Sequence, residues 1–231
     1  MESHAIDIHT HAHPHEHVAH HFDDAVQQRE SAELGMWAFL ITEVMFFGGL
    51  ILAYTVYRTQ NEKLFELASH ELNIPIGAIN TAVLLTSSLT MALAVYAAQQ
   101  GNRKNVITCL ALTMLLGSAF LGVKAWEYAE KFHHHLVPFF GLPFDDHHLL
   151  PDGAEMFFVL YFFMTGVHAL HMVIGIGVLA WLLVAAVVSK GPPRSTPIDM
   201  TGLYWHFVDI VWIFLFPFLY LIRPEGVWEL F

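Results

Sequence analysis

The amino-acid sequence predicts an all-α, polytopic membrane protein with five transmembrane helices in one bundle. Three observations lead there. The chain is 55% apolar and 14% aromatic, with only 13% charged residues and a mean hydropathy of +0.50. Five apolar stretches long enough to cross a bilayer are separated by polar or Pro- and Gly-containing connections. The formal charge of −11 arises mostly from acids in the N-terminal segment and the connections, so it is not the signature of a soluble acidic protein. There is no basic patch for nucleic acid. The single cysteine, Cys109, lies in an apolar run and excludes an intrachain disulfide, a thiolate metal cluster and covalent c-type haem.

Residues 1–30 are polar and histidine-dense (HTHAHPHEHVAHHFDD) and read as a flexible tail. A solvated tail is preferred to a specific Zn, Cu or Ni site, because a flexible run cannot hold ligands in one geometry. Residues 31–231 form the transmembrane domain, with helices over about 34–58, 76–99, 106–128, 154–189 and 202–222. No continuous apolar core of a cleavable signal precedes the first helix, so that helix is expected to drive insertion.

The first helix carries Glu43 in its middle. From Glu33 to Glu43 is ten residues, about 15 Å of helix, which places the acid near the centre of a slab ~30 Å thick. An acid there costs roughly 2.5 to 3.5 kcal/mol even on lenient insertion scales, so one that persists is protonated, paired or turned towards protein or water. It reads either as a functional group or as a hydrogen-bonding acid that fixes packing.

Pro75 starts the second helix, whose Asn80, Thr81, Thr86, Ser87, Ser88 and Thr90 are small polar residues that let helices approach and bond to one another. Residues 99–104, QQGNRK, are short enough only for a tight hairpin. The third helix ends in Lys124, Trp126, Glu127 and Tyr128, whose amphipathic rings and opposed charges suit an interfacial girdle. In the next loop, HHH at 133–135 and DDHH at 145–148 read as surface histidines rather than metal ligands. The fourth stretch, Ala154 to Ser189, is 36 residues, about 54 Å as a helix, so it must tilt or protrude. A breaker-rich loop with Pro192, Pro193 and Pro197 precedes the fifth.

Five spans put the termini on opposite sides. Arg29, Arg103, Lys104, Lys190 and Arg194 fall on one side and Arg58, Lys63, Lys131 and Arg223 on the other. The interhelix loops of the first side are short, where the positive-inside bias acts most strongly, so the N-terminus is expected in the cytoplasm and the C-terminus outside, in the periplasm.

Besides Glu43, the intramembrane polar groups are His168 and His171, then His206 and Asp209, each pair spaced i,i+3 and so on one helical face. Three readings compete. Haem or metal ligation lacks matching histidines at two depths of a facing helix. A proton path, as in a transporter, lacks titratable groups at a series of depths. A polar network, in which Glu43, a fourth-helix histidine, His206 and Asp209 satisfy one another inside a bundle docked on a larger partner, is preferred because the groups are few.

At these residues the chain resembles the cytochrome c oxidase subunit III family. FLITEVMFF is similar to the helix with the carbodiimide-reactive glutamate, placing Glu43 in that role, and PIGAINTAVLL to the start of the next helix. KAWEY, GVHALHMVIG and YWHFVDIVWIFLF follow in the family's order. The resemblance implies a non-catalytic core subunit of a haem-copper oxidase in a bacterial plasma membrane, with oxidase subunits I and II as partners and the haem and copper held by them. It implies support of proton uptake and of subunit I stability, bound phospholipid, and membership of a complex that reduces oxygen to water with electrons from cytochrome c and pumps protons, with a larger respiratory supercomplex as a further partner. Larger members begin with two further helices, so the shorter five-helix bacterial form is expected, with half of the lipid cleft supplied by another subunit or absent. Quinol oxidases and nitric oxide reductase accessory proteins share these helices, and nothing in the chain separates the electron donors. The rival of another class is a self-sufficient b-type haem protein or transporter.

Overall fold

Helix boundaries here are set by caps and breakers as well as by hydropathy. The computed structural model describes residues 22–133, 155–189, 191, 193 and 195–222, so the histidine-dense segment up to residue 21, the HH at 134–135 and the DDHH at 145–148 lie outside the described residues. Among the described residues there are six helices and no strand: α1 (Ala25–Gln60), α2 (Glu62–Ser69), α3 (Ile74–Gln99), α4 (Arg103–His133), α5 (Glu155–Val188) and α6 (Ser195–Tyr220). All but α2 are long and apolar enough to cross a membrane.

Helix α1 begins inside the segment expected to be tail. Asp24 caps it, accepting from the Gln27 backbone N–H at 2.7 Å, and Arg29 pairs with Glu33 at 2.8 Å one turn on, so residues 25–30 are helical although polar. The connection after α1 also differs from expectation, because it contains α2. That short helix is strongly amphipathic and buries Phe65, Ala68 and Ser69. Phe65 meets Tyr54 and Phe157 edge-on, and the Ser69 hydroxyl donates to the Ile222 carbonyl at 2.7 Å, tying α2 to the end of α6.

Asn73 caps α3, with Pro75 in its first turn, where a missing N–H costs nothing. Gly101, at φ +68°, closes the hairpin into α4, a conformation that a Cβ would strain. At that end the Arg103 guanidinium donates to the carbonyls of Ala186 and Val187 at 2.7 and 2.6 Å, satisfying the last acceptors of α5 and opposing the negative end of its dipole. Helix α5 has 34 residues, about 51 Å.

Helix α6 is the packing centre, and of the five spans it is the most buried. Trp205, Trp212, Leu215, Leu219 and Tyr220 are fully enclosed. The Trp205 ring lies against Gly117 of α4 and Gly175 of α5, where a Cβ would stand 2.7 and 2.9 Å from ring atoms. The small polar residues of α3 do the bonding expected of them: Trp205 Nε1 donates to Ser87 Oγ at 3.2 Å, Trp212 Nε1 to Thr81 Oγ1 at 3.0 Å, and Asn80 Nδ2 to the Phe120 carbonyl at 3.3 Å. Helix α1 is peripheral. Its buried residues, Leu40, Phe47 and Tyr54, recur every seven positions and trace one line of contact.

Candidate functional site

Glu43 follows Leu40 by three residues and precedes Phe47 by four, so helical geometry puts it on the one face of α1 that meets the bundle. Its Oε2 lies 3.1 Å from Nε2 of His171 on α5, the fourth of the spans. The histidine is itself fixed. Its Nδ1 lies 2.9 Å from the Val167 carbonyl, Phe47 meets the ring edge-on at 5.3 Å, and the Tyr204 hydroxyl donates to the His171 carbonyl at 2.9 Å. Both side chains of the pair keep a small exposure, 18% for Glu43 and 14% for His171.

The other intramembrane groups do not join this pair. Three residues turn a helix by about 300°, leaving the two members of an i,i+3 pair about 60° apart, enough to hand His168 and His171 to different neighbours. His168 is buried against the rings of Phe120 on α4 and Trp212 on α6, with centroids 5.7 and 5.0 Å away, while His171 faces α1. His206 Nδ1 meets Ser88 Oγ of α3 at 2.7 Å. Asp209 is buried beside Ser88, and among the described residues neither its carboxylate oxygens nor the His168 nitrogens have a hydrogen-bond partner. The single network expected from the sequence is thus several separate sites. Among the described residues, no three His, Cys, Asp or Glu side chains converge as a metal-ligand group.

The pairing of Glu43 in FLITEVMFF with His171 in GVHALHMVIG brings together two of the segments that carry the family resemblance, and the comparison with known families agrees. Residues 15–144 and 146–223 match the family described as Cytochrome c oxidase subunit III. The chain belongs to that family. Among its relatives, cytochrome c oxidase subunit 3 of Corynebacterium diphtheriae is 33% identical over 204 residues, covering 86% of this chain and 92% of the relative. Cytochrome bo(3) ubiquinol oxidase subunit 3 of Pseudomonas aeruginosa is 31% identical over 214 residues, covering 88% and 91%. Quinol oxidase subunit 3 of Bacillus spizizenii is 31% identical over 225 residues, covering 92% and 100%. A member of the subunit III family with five such spans is a multi-pass membrane protein and one component of an oxidase complex.

This subunit III fold also holds a polar site that the sequence reading missed. Lys124 and Glu127 of α4, both expected in an interfacial girdle, face inward with exposures of only 5% and 6%. Lys124 Nζ donates to Glu127 Oε2 at 3.0 Å, to Tyr161 Oη at 3.2 Å and to Tyr220 Oη at 2.8 Å. Both tyrosine hydroxyls donate in turn to Glu127 Oε1. The ammonium also lies 4.9 Å from the centre of the Trp212 ring. Of the expected girdle only Trp126 faces outward, at 61% exposure, while the Tyr128 hydroxyl bonds Thr165 of α5. Lys131, also buried, donates to the Glu71 carbonyl beyond α2. The signal was present as spacing: Lys124, Glu127, Tyr128 and Lys131 follow i, i+3, i+4, i+7 and so share one face, opposite Trp126.

Proposed function

We propose that this chain is the non-catalytic subunit III of a bacterial haem-copper terminal oxidase, packed in the plasma membrane against the subunit that holds haem and copper, with its N-terminus in the cytoplasm. In this reading it carries no redox centre. It supports proton uptake by the catalytic subunit, binds phospholipid and stabilises that subunit during turnover. The observation that carries the reading is the 3.1 Å contact between Glu43 and His171, because it joins two family segments that lie 128 residues apart in the chain and turns the mid-membrane acid towards protein. The relatives named above include both cytochrome c and quinol oxidases at similar identity, so the reading covers either electron donor.

The test is purification of the tagged full-length chain from its native membrane in mild detergent. A large haem-bearing polypeptide is expected to copurify, with all Soret absorption belonging to it. A chain that purifies alone with its own Soret band, or that moves a solute by itself in liposomes, overturns the reading.

A further inference from the structure

The carbonyl of Val167 can only accept a hydrogen bond, so its 2.9 Å contact with His171 Nδ1 fixes a proton on that nitrogen. Nε2 is left to face Glu43 Oε2 at 3.1 Å. If the imidazole is neutral, Nε2 has only a lone pair, and the acid bonded to it must be protonated. If the carboxyl is ionised, the same contact requires the ring to carry protons on both nitrogens. The two permitted states contain the same number of protons.

From these contacts we propose that Glu43 and His171 form a proton-sharing dyad, with one exchangeable proton held between Oε2 and Nε2. Its transfer breaks the carboxyl O–H bond and forms the imidazole N–H bond. The electron pair of the O–H bond stays on the carboxylate, the Nε2 lone pair takes the proton, and no other bond changes. The pair has zero net charge before and after, which answers the difficulty of an acid at mid-bilayer: the costly species is a lone charge, and neither state contains one.

The surroundings suit a shared proton. Tyr204 directs its hydroxyl to the His171 backbone carbonyl and so leaves Nε2 to Glu43. Phe47 closes one side of the ring. Both side chains keep a residual exposure, so the dyad is not sealed within this chain. His171 is in this sense a positioning residue, set by Val167 to present the correct nitrogen to the acid. The dyad deepens the subunit III reading and rests on it only for its use, the delivery of a proton to a partner subunit.

The test is spectroscopic, on the full-length chain in whatever complex it purifies with. Infrared spectra of wild type and Glu43→Gln identify the Glu43 carboxyl band by its loss, and 15N spectra of ring-labelled histidine count the protons on His171, assigned by loss of the signal in His171→Leu. A protonated carboxyl with a ring protonated on Nδ1 alone, or an ionised carboxyl with a doubly protonated ring, is the expected result. His171→Leu, if folded, shifts the carboxyl band to higher wavenumber as its acceptor is removed. A protonated carboxyl beside a doubly protonated ring, an ionised carboxyl beside a neutral one, or a ring protonated on Nε2 alone overturns the dyad. These spectra decide it even if the chain purifies without an oxidase partner.

Discussion

Two of the membrane-embedded acids among the described residues, Glu43 and Glu127, are each paired with a base, and the two sites are built differently. Glu127 is enclosed by α4, α5 and α6 and receives three donors, from Lys124, Tyr161 and Tyr220. Lys124 spends all three of its N–H bonds within the same group. That circuit is saturated, and a saturated polar network in a low-dielectric interior specifies one arrangement of its helices. Glu43, on peripheral α1, has one hydrogen-bond partner among the described residues and keeps 18% exposure. The difference teaches that the position of an acid in a membrane helix does not by itself set its role: saturation makes an anchor, and a single shared contact leaves a proton free to exchange.

The sharpest way to break this comparison is to remove the cation of the saturated site. Lys124→Met leaves Glu127 buried without its positive partner, and truncating one side of a buried pair typically costs about 3 to 5 kcal/mol. The expected outcome is a large fall in the detergent melting temperature of the chain and in its yield from membranes. Lys124→Met combined with Glu127→Leu is expected to recover much of the loss, since replacing both members of a buried pair by apolar groups is often close to neutral. A Lys124→Met protein as stable as wild type would mean that the circuit anchors nothing.

A second, smaller effect sharpens the contrast between core and periphery through glycine. A Cβ at Gly117 would stand 2.7 Å from the Trp205 ring, which α6 inserts between α3, α4 and α5 and which has nowhere to go. Gly117→Ala is therefore expected to destabilise the bundle by about 1 to 3 kcal/mol, the usual range for overpacking. Gly49 of α1 has open space around the same atom, and Gly49→Ala is expected to stay within about 0.5 kcal/mol in the same unfolding assay.

Much of this architecture was legible in the sequence because a bilayer imposes length and apolarity on any helix that crosses it. The five spans follow from that, and so does the demand that Glu43 find a partner. What hydropathy does not report is which way a polar residue turns. Glu127 and Trp126 are neighbours in the chain and both look interfacial, yet one is enclosed and the other exposed, a distinction carried by the inward line Lys124, Glu127, Tyr128, Lys131. Likewise the i,i+3 pairs marked the right helices but not the 60° that separates His168 from His171 in the bundle. The short α2 and the polar first turns of α1 escaped for a simpler reason: a cap and an amphipathic pattern made them helical without apolar length.

The smallest expected effect is the one that defines the peripheral site. In Glu43→Gln the carboxamide N–H can donate to the Nε2 lone pair of a His171 ring whose proton is held on Nδ1 by Val167, so the link between α1 and α5 survives. A net hydrogen bond contributes about 1 kcal/mol, and exchanging one donor for another should change stability by less than that. Melting temperature and recovery with partner subunits should match wild type, while the exchangeable carboxyl proton is lost altogether. A collapse comparable with that of Lys124→Met would place Glu43 in the same class as Glu127, an acid whose charge holds the bundle together, and the distinction between anchor and proton-sharing pair would fail at its weaker member.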